Sequence, residues 1–410
     1  MTTAPPVGPA GGATNVAVID RSSPGVGRPV APLAFLGVVV TSLGGPLALA
    51  ALYAPSIVAD ATASAGLVML AAAVVFLVPL AILLRYTRQV TGAGGLYGFV
   101  EAAAGRRVAR VQAGIWVFSY LLYLLYTTAS VVYDTLPAVL GPGVRPYQPA
   151  LEIAIPVALA GVMLAGRTVT LLVTGLLAAG QLVLVAILAV VAIGHDAPVG
   201  SFGAGAPAGA ALTATGQTAL LYVCGSLPLF LGGELKRPQR TIPRGMIGGF
   251  LLVAVGVVAA VFPIAANPAF AEAPIPGMSI VRVFAGHGLA VAVGIGVAAS
   301  VVGVMLVEYL SLSRLAHTLT GRPLRTVIAV IAGALVLAAP ISLIDPDGFY
   351  DSLIKPSLVA LWLSQLIVFA VYPRFVRKHA GRPVPAWTLT VLACAFAGYG
   401  LWVTINHPVS

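Results

Sequence analysis

The chain has 410 residues, 59% of them hydrophobic and 8% charged, with a formal net charge of +10 and a mean hydropathy of +1.02. A water-soluble domain carries roughly 25% charged residues, so this supply cannot cover a solvated surface, and a soluble fold is excluded. Nucleic acid is excluded as a partner too, because the cations lie in short loops between apolar runs rather than gathered on one face.

Residues 1–31 are rich in Pro, Gly, Ala and Ser and lack the basic start and apolar core of a secretory signal. They read as a disordered cytoplasmic tail. Eleven apolar spans follow, near 32–58, 64–84, 113–140, 150–166, 168–194, 216–232, 244–266, 285–313, 325–344, 352–373 and 386–406. Each is close to the length that crosses ~30 Å of hydrocarbon as a helix. The expected class is an all-α, polytopic membrane protein with the lipid bilayer as its surroundings.

Orientation follows from Lys and Arg, which favour the cytoplasmic side. With the N-terminus inside, the inner segments hold Arg21, Arg28, Arg85, Arg88, Arg106, Arg107, Arg110, Arg167, Lys236, Arg237, Arg240, Arg244, Arg314, Arg322, Arg325, Arg374, Arg377, Lys378 and Arg382. That is 19 of the 22 cations; Arg145, Arg282 and Lys355 stay outside. Asp60, Asp134, Glu152, Asp196, Glu272, Asp345, Asp347 and Asp351 all read as outer residues. Eleven spans then place the C-terminus outside a cytoplasmic (inner) membrane.

Two spans carry residues that weaken a helix. The first reads Thr41-Ser42-Leu43-Gly44-Gly45-Pro46 and the sixth Tyr222-Val223-Cys224-Gly225-Ser226-Leu227-Pro228, followed by Gly232-Gly233. Proline removes an i→i−4 hydrogen bond and glycine loosens the backbone. Backbone groups freed in this way are tolerated in a membrane only against protein or a water-lined cavity. Breaks five spans apart are the pattern of a carrier with a midplane site; ordinary membrane kinks are the other reading.

Three segments resemble the amino acid–polyamine–organocation (APC) family of permeases. Gly94-Gly95-Leu96-Tyr97, continuing through Gly105 to Gly114-Ile115-Trp116, is similar to that family's GG-x-Y…G…GW signature. Glu234-Leu235-Lys236-Arg237-Pro238-Gln239-Arg240-Thr241-Ile242-Pro243-Arg244 is similar to its E-x-K-x-P-x-R-x-I-P-R stretch. Ser313-Arg314 with Gly321-Arg322-Pro323 is similar to its S-R…G-x-P segment. The resemblance implies a five-plus-five inverted-repeat, LeuT-like transporter fold, with repeats at 32–194 and 216–373 in a core of 32–373 and an additional helix at 386–406. It also implies substrate held between the first and sixth spans, with walls from the third, eighth and tenth. Pro46 departs from the family's G-S-G-I-like break and offers no N–H. The fifth span has Gln181 where many proton-coupled relatives carry a lysine, which leaves the driving ion (proton, sodium or an exchanged substrate) open.

The substrate-binding residues expected are Ser42, Gly44, Gly45, Tyr123, Tyr126, Tyr222, Cys224, Gly225 and Ser226. Glu308, Gln181 and Glu234 are candidates for coupling or gating. Glu308 reads as the one acid within an apolar run, and an intramembrane carboxylate is costly enough to point to function; the bland alternative is solvation near Arg314, two turns away. Tyr120, Tyr123, Tyr126 and Tyr133 form either an aromatic wall beside substrate or a packing seam. Glu234 with Lys236, Arg237 and Arg240 is either an inner gate or a loop clamp. Asp345 and Asp347 read as turn chemistry, the histidines are scattered, and Cys224 and Cys394 read as free thiols. No cofactor or metal is expected, and no enzyme. The function expected is secondary transport of an amino acid or related small amine by alternating access. An exporter of a specialised metabolite on the same fold and a membrane-embedded enzyme are the alternatives.

Overall fold

The computed structural model describes residues 29–92, 94–195, 198–379 and 384–406, without the side chains of residues 347, 350, 351, 384 and 385. Most of the expected tail, with Asp20, Arg21 and Arg28, lies outside the described residues, as do Asp196, Arg382 and the side chains of Asp347 and Asp351. The described residues are helical apart from loops and one isolated bridge between Val30 and Leu235.

Among the described residues, ten helical stretches are long and apolar enough to cross a bilayer. The first, Pro32–Thr87, has 56 residues, nearly three times the ~20 that one crossing needs. It runs out and back. Val30 N–H donates to the Glu234 carbonyl at 2.9 Å, while a methyl added to Gly232 would stand 3.2 Å from the Gly92 carbonyl. The two ends of the stretch therefore meet the same neighbour, and the reversal sits near Ala61, whose φ of −123° and ψ of 32° leave the helical region. Eleven crossings result: 32–58, Ala65–Thr87, Arg106–Leu140, Pro142–Leu164, Arg167–His195, Ala208–Glu234, Pro238–Ala265, His287–Thr320, Leu324–Leu343, Ser352–His379 and Ala386–Asn406. The chain is a multi-pass membrane protein.

The spans sort into two packed groups. Spans one and two each pack on six and seven, and spans three, four, eight and nine contact one another. The fifth lies against the first, seventh and eighth, the tenth against the third, and the eleventh against the tenth. Lipid tails supply no drive for helices to associate, so close approach over small residues does the work. A Cβ on Gly37 would sit 3.0 Å from the Gly175 Cα, joining spans one and five. Outward, Leu172, Leu176, Val183 and Val190 give the fifth span an apolar lipid face.

An internal repeat is visible in backbone angles. The second span is followed by the nine-residue helix Leu96–Ala104 and the seventh by the nine-residue helix Pro276–Phe284. Gly105 then opens the third span at φ 89°, ψ 170°, and Gly286 opens the eighth at φ 91°, ψ 167°. Side chains rarely adopt such positive φ, so both halves use glycine for the same corner.

Several span boundaries, three N-terminal ones among them, and one acid differ from the sequence reading. The third span starts at Arg106 rather than 113, the sixth at Ala208 rather than 216, and the seventh at Pro238 rather than 244. Hydropathy marks only the part of a helix that sits in hydrocarbon, and these helices continue through arginines or small polar residues. Glu152 is not an outer loop residue: it lies in the helix Gln148–Leu164 and is 2% exposed. Glu308 is therefore not the one acid within a span.

Candidate functional site

The first span breaks at its glycines. Its inner helix ends at Ser42, and Gly44 and Gly45 then take φ of 74° and 65° before Pro46 starts the outer half-helix. Both glycines are needed for space as well as angle. A Cβ on Gly44 would stand 2.9 Å from the Leu221 carbonyl of the sixth span, and one on Gly45 would stand 2.5 Å from Ser300 Oγ of the eighth. The outer half-helix begins with a positive dipole end, but part of it is already occupied. Pro46 has no N–H, and the Ala48 N–H donates to Ser300 Oγ at 3.2 Å. Ser300 in turn donates to Gln181 Oε1 at 2.8 Å, and Gln181 Nε2 has no partner.

The sixth span is interrupted differently. Its α-helix ends at Leu220, and Val223–Glu234 continues as a 3₁₀-helix without an extended break. Twelve residues is long for a 3₁₀-helix, whose hydrogen-bond geometry is poorer and whose runs usually stop at three or four. The change of helix type falls at Tyr222, beside Gly44, so the two irregularities meet across one contact.

One face of the eighth span lines this crossing. Ser300 caps the outer half-helix, Val304 lies against Gly45, and the Ser311 hydroxyl donates to the Leu227 carbonyl at 3.1 Å. Glu308 belongs to the same face, since residues three or four apart share a side of a helix. It is fully buried; Oε1 accepts from the Cys224 thiol at 3.8 Å and Oε2 has no partner. Tyr120 of the third span donates to the same sulfur at 3.8 Å. Arg314 is not its counter-charge: that guanidinium is held by Glu234, with Nε 2.6 Å from Oε1. The solvated reading of Glu308 is thus corrected. Arg314 is six positions on from Glu308, which leaves the two side chains roughly 120° apart around the helix.

The chain's backbone is similar to that of a histidine-to-alanine mutant of the Eremococcus coleocola manganese transporter, with a TM-score of 0.61 at 10% identity over 92% of this chain and 89% of that one. It is also similar to MhsT in complex with L-phenylalanine, with a TM-score of 0.58 at 14% identity over 92% and 98%. No protein-family model and no curated protein sequence matches the chain. The chain has a LeuT-like, five-plus-five inverted-repeat fold.

At the cation-rich end, Glu234 closes the 3₁₀ segment with two ion pairs, to Arg314 at 2.6 Å and to Arg167 at 3.4 Å. These replace the expected clustering with Lys236, Arg237 and Arg240. The segments Glu234–Arg244 and Ser313-Arg314, eighty residues apart in sequence, are thereby joined. Phe230 packs on Trp116 with the rings tilted by 40° and centroids 4.8 Å apart, and it blocks any side chain on Gly95, so the motif glycine and tryptophan both pack on the sixth span.

The remaining candidates divide. Cys224 sits between Glu308 and Tyr120, and Gly225 packs under Leu43 and Phe76. Ser226 accepts from Gln365 of the tenth span at 3.4 Å. Tyr222 faces away, its ring between Phe76 and Phe250 at 5.5 Å from each. Ser42 returns its hydroxyl to the Val39 carbonyl at 2.8 Å. Tyr123 and Tyr126 are half-buried with centroids 5.7 Å apart, while Tyr133 belongs elsewhere, donating to Glu152 at 3.2 Å, which also accepts from Ser342. Asp345 caps the tenth helix by accepting from the Gly348 N–H at 3.0 Å. Both cysteines are free, and no group of three metal-ligating side chains occurs among the described residues. Sequence reading missed Ser300, Arg167 and Tyr120's link to Glu308. The spacing of Ser300, Val304, Glu308 and Ser311 is the helical signal that could have found the first.

Proposed function

We propose that the chain is a secondary carrier that moves an amino acid or related small amine across a cytoplasmic membrane by alternating access. The observation that carries the reading is a fully buried carboxylate with an unpaired oxygen, presented where two interrupted spans meet. An acid placed so deep in a membrane protein is costly and marks a ligand or ion path, and an ammonium is the complementary group. The fold likeness to two solved transporters supports transport over catalysis, and the three APC-like segments support the amine class. Gly44, Gly45, Cys224, Gly225 and Glu308 form the proposed site, with Gln181 reaching it through Ser300. The cation distribution supports an N-terminus in the cytoplasm and a C-terminus outside.

The test is uptake of labelled amino acids and polyamines into proteoliposomes under varied proton and sodium gradients. Saturable, substrate-dependent flux or counterflow of at least one amine is expected. A complete lack of flux and binding across the panel contradicts the proposal.

A further inference from the structure

Glu308 joins the eighth span to the sixth through Cys224 but enters neither of the ion pairs that Glu234 makes. Its surroundings decide what it can hold. From the sixth span it faces the Cys224 thiol, and beyond it from the third span the Tyr120 hydroxyl, both neutral donors. From the first and fifth spans the polar side chains that pack on the eighth, at Gly303, are Thr41, whose methyl would lie 3.1 Å from a Cβ there, and Gln181, whose Nε2 would lie 3.3 Å from it. None of these carries charge. On its own helix, Tyr309 turns away to the Ile328 carbonyl and Arg314 to Glu234. The described residues thus give this carboxyl no cation, although one of its oxygens is left without a hydrogen bond.

A bare carboxylate in this position costs several kcal/mol that one neutral thiol donor at 3.8 Å, itself accepting from Tyr120, does not offset. The group is therefore neutralised from outside the fold, and two species can do so: a proton or a bound cation. They exclude one another, because each cancels the same single charge. We infer that Glu308 is one cation seat occupied alternately by a proton and by the ammonium of the substrate, which makes the carrier a proton–amine exchanger. The inference rests on the amine-carrier reading above. In balance, a protonated carboxyl meets an alkylammonium, the O–H bond breaks, the carboxylate keeps the electron pair and pairs with the ammonium, and one proton leaves to the solvent. The unliganded carrier returns only after taking a proton from the other side. Position on the eighth span gives the seat its coupling: the same helix face caps the outer half-helix at Ser300 and holds the 3₁₀ segment at Ser311.

Two measurements test it. In the first, purified full-length protein is treated with N,N′-dicyclohexylcarbodiimide, which adds to protonated carboxyls in apolar surroundings, and the Glu308 peptide is weighed. Labelling of Glu308 is expected, fading as pH rises and suppressed by the polyamine or amino acid that binds. In the second, proteoliposomes loaded with a pH dye report proton movement against amine uptake. Wild type is expected to move protons opposite to the amine, Glu308→Asp to keep that exchange at reduced rate, and Glu308→Gln to lose at least about thirtyfold in uptake. Unlabelled Glu308 at every pH, or Glu308→Gln exchanging protons for amine as wild type does, overturns the seat. A wild type that carries no amine defeats the carrier reading instead, and the labelling result still decides whether Glu308 takes up protons.

Discussion

Single residues show how much of the site the sequence exposed. Glu308 is legible because a lone acid in a long apolar run is conspicuous, but its setting is not, since Arg314 two turns on looks like a partner until the helix turn is counted. Ser300 was invisible for the opposite reason: a serine in a membrane helix is unremarkable until the Ala48 N–H is found resting on it at 3.2 Å. Gln181 was visible as the polar residue of its span, and its link to the first span runs through that same hydroxyl. Ser300→Ala removes the cap of the outer half-helix and leaves a second Gln181 atom unpaired in the interior. A lost cap alone costs about 1 kcal/mol. The variant is expected to melt at lower temperature than wild type in detergent, measured by fluorescence-detected size exclusion after heating; an unchanged midpoint contradicts the capping role.

At the scale of elements, the glycine-rich stretches of the first and sixth spans read alike in sequence but fold differently. Gly44 and Gly45 adopt positive φ and interrupt the helix before Pro46 restarts it, whereas Gly225 and Pro228 sit inside a continuous 3₁₀-helix. Pattern reading finds both weak points; it does not tell a turn from a change of helix type, because that depends on what packs alongside. Glu234 fixes the far end of this segment to Arg167 and Arg314. Glu234→Gln leaves Arg314, 5% exposed, without its partner, and breaking a buried pair on one side costs roughly 3 kcal/mol or more. The clamp then holds the inner end less tightly. In a Cys394→Ser background, Cys224 of the Glu234→Gln variant is expected to react faster with a maleimide supplied from the cation-rich side. Equal rates in the two proteins contradict a gating clamp and leave a purely structural one.

For the whole molecule, composition and run length gave the eleven crossings, because the bilayer imposes a length on every span. The repeat was legible only through the spacing of the two breaks. Its direct mark, the matching corners at Gly105 and Gly286, lies in backbone angles that glycine permits but does not announce. Orientation rests on the uneven placement of lysine and arginine, a property of the whole chain that no single contact carries. These levels meet in one proposed path, on which a small amine passes between the first and sixth spans at Gly44 and Gly45. Gly45→Leu tests it most directly, since a side chain there meets both a positive φ and Ser300, while the apolar spans that direct insertion are unchanged. Uptake of labelled amine into proteoliposomes by wild type and Gly45→Leu, at equal reconstituted amounts, is expected to be saturable in the first and absent in the second. Full uptake by the variant would place the pathway elsewhere and contradict the account.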